Sequence, residues 1–300
     1  TTTLKILLMN IAFLLLNVPS QALWVQTNGP YSGDVKCFVF KETTIFAGTS
    51  KGLYRSTDNG DSWELTRLTY DIYTIFLHGE NLIASTYYGA YHSKDNGEHW
   101  ESSESFNPLI KTISVSGDFI YATSTYSESV YRSFDEGLSW KEIKTGLPIQ
   151  NLSSIFAIDS TLLIGTNEGV YRSTDQGHTW TAANDGFTSK TSINTFMAHG
   201  TDIFAGTNQD GAFRSSDNGK SWVPINNGLP SKNVTTFAHS GSLLYVGTSQ
   251  NGIFQSTDNG DSWTPVGLQD FFVNTIANSG KYLFCGTYKG FSANTKVPKS

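Results

Sequence analysis

Six aspartates recur in one short pattern, S-x-D-x-G-x-x-W, and their carboxylates could serve as acid–base groups or bind calcium. They are Asp58, Asp95, Asp135, Asp175, Asp217 and Asp258, and 37 to 42 residues separate successive copies. Serine and aspartate also form hydrogen bonds with nearby backbone groups in turns, glycine adopts positive φ, and tryptophan buries a large ring. Six copies spread through a repeat cannot converge on one site. We therefore interpret these aspartates as structural.

A second group of reactive side chains lies where the repeats differ most. Tyrosines and one acid occupy corresponding variable segments of three repeats, whereas other repeats carry amide side chains there: Tyr87, Tyr88, Tyr126, Glu128 and Tyr288. Aromatic rings can stack on sugars or anchor a peptide, and variable segments on a rigid scaffold commonly carry recognition. We predict that these five residues bind a ligand.

Catalytic and metal chemistry have weaker support. Glu128, Glu168 and Asp210 lie in corresponding segments of successive repeats, and two of them could act as a glycosidase pair at a suitable separation, although ordinary surface charge is the favoured explanation. The six histidines are not arranged in close-spaced pairs such as structural zinc sites use. We predict no metal and no cofactor.

The elements that position these residues are predicted to be short strands. Each repeat contains an apolar segment such as "VNTIAN", a segment such as "IFAGT", a segment such as "GLYRS", and a fourth segment that begins at the tryptophan of the pattern. We name them strands a, b, c and d. Four-stranded units that repeat about every forty residues are typical of β-propellers. The sequence therefore predicts an all-β, seven-bladed propeller of antiparallel blades over residues 23–300.

The tryptophan spacing predicts how the ring closes. Trp24 precedes Trp63 by 39 residues but lacks the rest of the pattern, and the seventh repeat ends without a strand d. We predict that the N-terminal segment supplies this strand, pairing with residues near 290–295. Cys37 and Cys285 would then lie in neighbouring blades. They could form a disulfide, although two separate buried thiols are the more common arrangement.

The pattern resembles the Asp box, or BNR repeat, S-x-D-x-G-x-[ST]-W, of a broad class of propellers, and five of the six copies match it. This resemblance covers nearly all of residues 23–300 and implies the propeller, but it leaves the function open among sialidases, xyloglucanase-type glycosidases, sortilin-like receptors and the photosystem II assembly factor. Sialidase activity is not expected, because four of the five arginines occupy one repeated position and would not meet in a carboxylate-binding pocket: Arg55, Arg132, Arg172 and Arg214.

The N-terminus and the charge indicate where the protein works. Lys5, an apolar run over 6–16 and small residues at Ser20 and Ala22 are typical of a secretory signal peptide over residues 1–22. We expect a secreted or periplasmic monomer without a membrane span. The net charge of -6 argues against nucleic acid as a partner.

The sequence predicts a binding or interaction propeller that recognises a glycan, peptide or protein. We expect the ligand on the face formed by the b–c and d–a connections. The alternatives are a glycoside hydrolase-like enzyme that uses loop carboxylates and an assembly or scaffold factor resembling the photosystem II assembly factor.

Overall fold

The structure is a computed structural model, and it describes residues 24–30, 33–103, 110–124, 129–144, 146–147, 151–188, 190–280, 282–288 and 295–298. These residues contain strands, turns and bends but no helix. The all-β prediction is confirmed. The predicted signal peptide at 1–22 lies outside the described residues.

The strands are short because each repeat alternates β-branched or aromatic residues with glycine-containing turns. In chain order they are β1 (Val25–Gln26), β2 (Val35–Lys41), β3 (Thr44–Thr49), β4 (Gly52–Ser56), β5 (Glu64–Leu65), β6 (Ile72–His78), β7 (Asn81–Thr86), β8 (Gly89–Ser93), β9 (Glu101–Ser102), β10 (Ile110–Ser116), β11 (Phe119–Ser124), β12 (Val130–Ser133), β13 (Lys141–Ile143), β14 (Ser154–Ile158), β15 (Thr161–Thr166), β16 (Gly169–Ser173), β17 (Thr181–Ala182), β18 (Ile193–His199), β19 (Asp202–Thr207), β20 (Ala212–Ser215), β21 (Val223–Pro224), β22 (Val234–Ser240), β23 (Leu243–Thr248), β24 (Ile253–Ser256), β25 (Thr264–Gly267), β26 (Val273–Asn278), β27 (Tyr282–Thr287) and β28 (Thr295–Pro298).

Within the described residues these strands form seven four-stranded antiparallel sheets, which we call blades. Six blades consist of four consecutive strands each: β2–β5, β6–β9, β10–β13, β14–β17, β18–β21 and β22–β25. We number them one to six. Blade seven has the order β1-β28-β27-β26, so its strand d comes from the other end of the chain.

The composite blade closes the ring through backbone pairing and through one tryptophan. Val25 pairs with Lys296 and Gln26 with Thr295. The partner strand is therefore 295–298, a few residues later than the segment near 290–295 that the sequence predicts. The pairing of Cys285 in β27 with Thr295 fixes the register of β28. More residues therefore separate the b and c strands in blade seven than in blades one and two.

Trp24 occupies the position that the repeat assigns to it. Its Nε1 donates to the carbonyl of Val266 at 2.9 Å, as Trp263 donates to Ile225 and Trp222 to Ala183. In all three cases the acceptor lies three residues after the tryptophan of the preceding blade. Gly267 makes room for the Trp24 ring, because a Cβ there would lie 2.6 Å from Trp24 Cδ1. The segment before β1 therefore continues the inter-blade contacts through the closure.

The hydrophobic core lies between neighbouring blades rather than at one centre. Phe284 of blade seven, fully buried, packs with Val35, Tyr54 and Trp63 of blade one. The strands a lie against one another around the ring, including β26 against β2. The a–b and c–d turns leave one side, which we call the box face. The b–c and d–a connections leave the opposite side, which we call the loop face.

Candidate functional site

The six aspartates of the repeated pattern lie in c–d turns on the box face and are used in the same way in every copy. In the first, Ser56 Oγ donates to Asp58 Oδ1 at 2.8 Å and accepts from the backbone N–H of Gly60. Ser62 donates through its backbone N–H to Oδ1 and through its hydroxyl to Oδ2. Gly60 has φ of 81°, which favours glycine, and a Cβ there would lie 2.6 Å from Phe284 Cε1.

The second copy departs from the pattern without losing the geometry. His99 stands where the other copies have Ser or Thr, and its Nδ1 lies 2.6 Å from Asp95 Oδ2, the place of the missing hydroxyl contact. Its backbone N–H donates to Asp95 Oδ1 at 2.9 Å. Both oxygens of each carboxylate thus accept hydrogen bonds from groups of the same turn. This is the structural role that the residue types predict.

These hydrogen bonds also determine the charge of the carboxylates. Burial acts to raise the pKa of Asp58, but hydrogen bonds from Ser62 and Ser56 outweigh it and lower that pKa to about 2. Hydrogen bonds from Ser256 and Ser262 lower the pKa of Asp258 to about 2. A carboxylate that stays ionised and fully bonded is a poor general acid.

The repeated arginine position has a role that the sequence did not reveal. Each arginine reaches the turn of the next blade, to the residue that directly follows the box aspartate. Arg214 Nη1 donates to the carbonyl of Asn259 at 2.7 Å and Arg172 Nε to that of Asn218 at 2.9 Å. The accepting residues have positive φ, 58° for Asn259 and 62° for Asn218, which turns their carbonyls outward. These arginines fasten blades together and do not form a carboxylate clamp.

The two cysteines are both free in the structure, and the disulfide is not formed. Cys37 packs against the cluster between blades one and two, whereas Cys285 lies in the cluster between blades six and seven. The possible disulfide between neighbouring blades is therefore absent, because the two side chains face opposite sides of their sheets and the thiols stay separate. Burial raises the pKa of the Cys37 thiol to about 12 and also raises that of Cys285.

On the loop face, blade two carries an exposed cluster of tyrosines, which we call the tyrosine patch: Tyr70, Tyr87 and Tyr88. Their exposed fractions are 41%, 58% and 63%. The ring centroids of Tyr70 and Tyr88 lie 4.9 Å apart at 57°, and those of Tyr87 and Tyr88 lie 5.5 Å apart at 88°. Tyr70 also contacts the ring of Tyr91 in β8. The structure therefore places Tyr87 and Tyr88 together and adds Tyr70, which comes from the preceding d–a connection.

Of the other three predicted ligand-binding residues, the structure describes one. Tyr288 lies on the loop face of blade seven, 49% exposed, with its ring centroid 5.6 Å from that of Phe272. It belongs to a separate aromatic pair and not to the tyrosine patch. Tyr126 and Glu128 lie outside the described residues.

The remaining loop carboxylates have partners of their own. Glu168 Oε1 lies 2.6 Å from Lys190 Nζ, and Asp210 Oδ2 accepts from Thr191 Oγ1 at 2.8 Å. Each therefore joins its b–c connection to the d–a connection between blades four and five. Among the described residues, no group of three or more His, Cys, Asp or Glu side chains is arranged to hold a metal ion. The described part of the chain has no helix that is long and apolar enough to cross a membrane.

A β-bulge near the start of strand a recurs around the loop face, and in blades five to seven its extra residue clasps the next blade. Asn194 Nδ2 donates to the carbonyl of Val234 at 2.9 Å. Thr235 and Asn274 make the same contact with Val273 and Val35, so the last clasp crosses the closure. In blade four Ser153, just before β14, donates in the same way to Ile193.

Blades one to three have larger residues at this position, and neither of the two lysines among them donates to a backbone carbonyl of the next blade within the described residues. They are Lys36, Tyr73 and Lys111. Lys36 Nζ lies 2.6 Å from Asp71 Oδ1 and 4.6 Å from the centroid of the Tyr73 ring. Asp71 directly follows Tyr70, so one connection carries both this ion pair and a member of the tyrosine patch. Lys36 therefore still contacts the segment that leads into blade two, but through an ion pair and a ring contact and not through a hydrogen bond to a backbone carbonyl.

Comparison with known proteins finds similarity in fold only. No family model matches the chain, so the Asp-box resemblance is not supported by a family match. No curated protein matches it either.

Three solved structures with the same kind of fold span most of the chain. The extracellular domain of a hybrid two-component system from B. thetaiotaomicron has 16% identity and a TM-score of 0.76, and covers 93% of this chain. The chain spans 40% of that domain's length. YCF48 bound to D1 peptide has 14% identity and a TM-score of 0.72, with 95% of this chain and 100% of that chain covered. The GH74 enzyme of Niastella koreensis has 16% identity and a TM-score of 0.66, with 89% of this chain and 43% of that chain covered. The chain is similar to these propellers in fold, and its own function rests on its own residues.

Proposed function

We propose that this protein is an exported interaction propeller that binds a peptide segment of a partner protein on its loop face. The tyrosine patch carries the proposal. Three tyrosines that are between 41% and 63% exposed lie together on one blade, although aromatic rings are normally buried between the blades. Contiguous exposed aromatic surface on a soluble protein commonly marks an interaction site.

The orientation of the rings favours a peptide over a glycan. A sugar ring stacks on a flat aromatic face, whereas neighbouring rings at 57° and 88° form clefts with walls in different directions. Side chains of a peptide fit such clefts, and tyrosines are enriched among residues that dominate protein interfaces. YCF48, a propeller of the same size, has been solved with a bound peptide, so a propeller of this kind can accommodate one.

The structural role of the box aspartates supports the same assignment. Their oxygens are occupied by their own turns, and the arginines of the box face are occupied by the next blade. The box face thus has few unsatisfied groups to offer a ligand. The loop carboxylates Glu168 and Asp210 have partners too, so a hydrolase that depends on them is the weaker alternative.

The test is a binding screen of the purified chain on a peptide array and on a glycan array. A Tyr70→Ala/Tyr88→Ala double variant should lose about tenfold or more in affinity for its best peptide. Phe134→Ala is the matched control, because Phe134 is an aromatic residue on the box face that is 57% exposed. Binding confined to glycans, release of sugar from a polysaccharide, or equal affinity of the double variant and the wild type would overturn the proposal.

A further inference from the structure

The bulge residues of strand a show an asymmetry that bears on the ligand's chemistry. In blades five to seven the bulge residue donates a hydrogen bond to the next blade, through Asn194, Thr235 and Asn274. In blade four Ser153, which precedes a strand without a bulge, makes the same contact. Each is a small polar residue suited to a hydrogen bond. A bulge aims its extra side chain out of the regular ladder, and such positions are common beside functional sites.

Lys111 is the bulge residue of blade three and differs from the other two exceptions. Lys36 is held by Asp71 and by the Tyr73 ring, whereas Lys111 makes no hydrogen bond and no ion pair with any described residue. Its side chain is exposed, yet the surrounding protein lowers its pKa through desolvation. An ammonium that has no partner among the described residues, in partly desolvated surroundings, attracts an anion.

The neighbourhood of Lys111 links it to the tyrosine patch. Its strand, β10, packs against β6 of blade two, whose own bulge residue is Tyr73. Tyr73 follows Asp71 and Tyr70 by a few residues, so one connection joins the patch to the bulge row. A peptide that fills the patch would pass this row on its way across the loop face.

We infer that Lys111 recognises a carboxylate of the bound peptide, so that the partner segment is acidic as well as apolar or aromatic. This inference rests on the proposed function and specifies the partner's chemistry. The ion pair with Asp71 occupies Lys36, whereas Lys111 has no such partner among the described residues. The box face, which holds six ionised aspartates, would repel the same peptide.

The experiment uses synthetic peptides in matched pairs that differ only by glutamate against glutamine next to an aromatic residue. The wild type should bind the best glutamate peptide about tenfold more tightly than its glutamine counterpart, and added salt should reduce this difference. Lys111→Gln should abolish the preference, and Lys111→Arg should retain it. Lys232→Gln is the matched control, since Lys232 is an exposed lysine of the loop face between blades five and six.

The outcomes separate this inference from the proposed function. Peptide binding that depends on Tyr88 but does not distinguish glutamate from glutamine would overturn the acidic partner and leave the peptide-binding function standing. A preference that persists in Lys111→Gln would overturn the role of Lys111. Failure of every peptide to bind the folded wild type would overturn both.

Discussion

At the scale of single residues, the repeated aspartate pattern stabilises its own turn. Asp217 accepts hydrogen bonds from Ser215 Oγ, from the backbone N–H groups of Lys220 and Ser221, and from Ser221 Oγ. This role is predictable from sequence because all the groups involved lie within seven residues of one another. The roles of Arg172 and Arg214 are not, because their partners lie in the next repeat.

Replacing one box aspartate should therefore cost stability and leave binding unchanged. Asp217→Ala should lower the free energy of unfolding by about 1–3 kcal/mol, because several hydrogen bonds to a charged acceptor are lost. Asp118→Ala, at an exposed position in an a–b turn, is the control and should change little. Chemical denaturation measures both. A variant of Asp217 as stable as the wild type would contradict the structural role.

The lowered pKa values of the box aspartates give the stability a specific pH dependence. The folded-state pKa is about 2 for Asp58, Asp217 and Asp258, and the unfolded value is about 3.9. The unfolded chain therefore binds protons first as the pH falls. The stabilisation should be fully present above about pH 4 and should disappear as the pH falls to about 2. Thermal melts from pH 7 to pH 2 should show a flat region followed by a decline, and Asp217→Ala should decline less steeply. A melting temperature that rises below pH 4 would exclude this linkage.

At the scale of elements, strand a contains the feature that sequence analysis could not find. The repeat predicts the strand but not the bulge, because a bulge depends on how the strand pairs with its neighbour. The sequence therefore does not show in which direction the side chain of Asn194 or Lys111 points. The patch shows the same limit. Tyr87 and Tyr88 stand out as departures from the repeat, whereas Tyr70 joins them only because a d–a connection folds beside a b–c connection.

The two kinds of bulge residue should respond differently to the same substitution. Asn194→Ala removes the donor to Val234 and leaves that carbonyl without this partner, so the free energy of unfolding should fall by about 1–2 kcal/mol. Lys111→Ala is the matched variant at the corresponding position and should be close to neutral, because no hydrogen bond or ion pair with a described residue is lost. Equal losses of stability in both variants would show that Lys111 is a clasp like the others.

At the scale of the whole molecule, the periodic tryptophans made the closure predictable. Trp24 fits the spacing of the other tryptophans but lacks the rest of the pattern, so it predicts a strand that completes the last blade. The structure pairs Val25 of this strand with Lys296. The position of the two thiols was not predictable in this way. Cys37 and Cys285 lie in neighbouring blades, but each side chain points to the far side of its own sheet. The two sulfurs therefore belong to different hydrophobic clusters.

The closure should be a large contributor to stability. Trp24→Ala removes the hydrogen bond to Val266 and the ring that packs beside Gly267, and it should lower the free energy of unfolding by about 2–4 kcal/mol, since the ring is only partly buried. Trp24→Phe should recover part of this loss, because the ring contact remains without the hydrogen bond. A Trp24→Ala protein that unfolds like the wild type would mean that the N-terminal strand is not part of the folded ring.

The thiols should be free and inert in the folded protein. Cys285 is buried and Cys37 is partly buried, and desolvation raises the pKa of each thiol, so few thiolates exist near neutral pH. A thiol reagent should react slowly with the native protein and should count two thiols after denaturation without reductant. A count of zero would show that the ring is cross-linked.

The central claim is that the loop face binds the peptide, whereas the repeated turns of the box face stabilise the fold. The most direct measurement is hydrogen–deuterium exchange of the chain with and without its best peptide from the array. The account predicts slower exchange around 66–73, 86–91 and 110–112, with no change in the c–d turns around 56–63 and 215–222. Protection confined to those turns would contradict it.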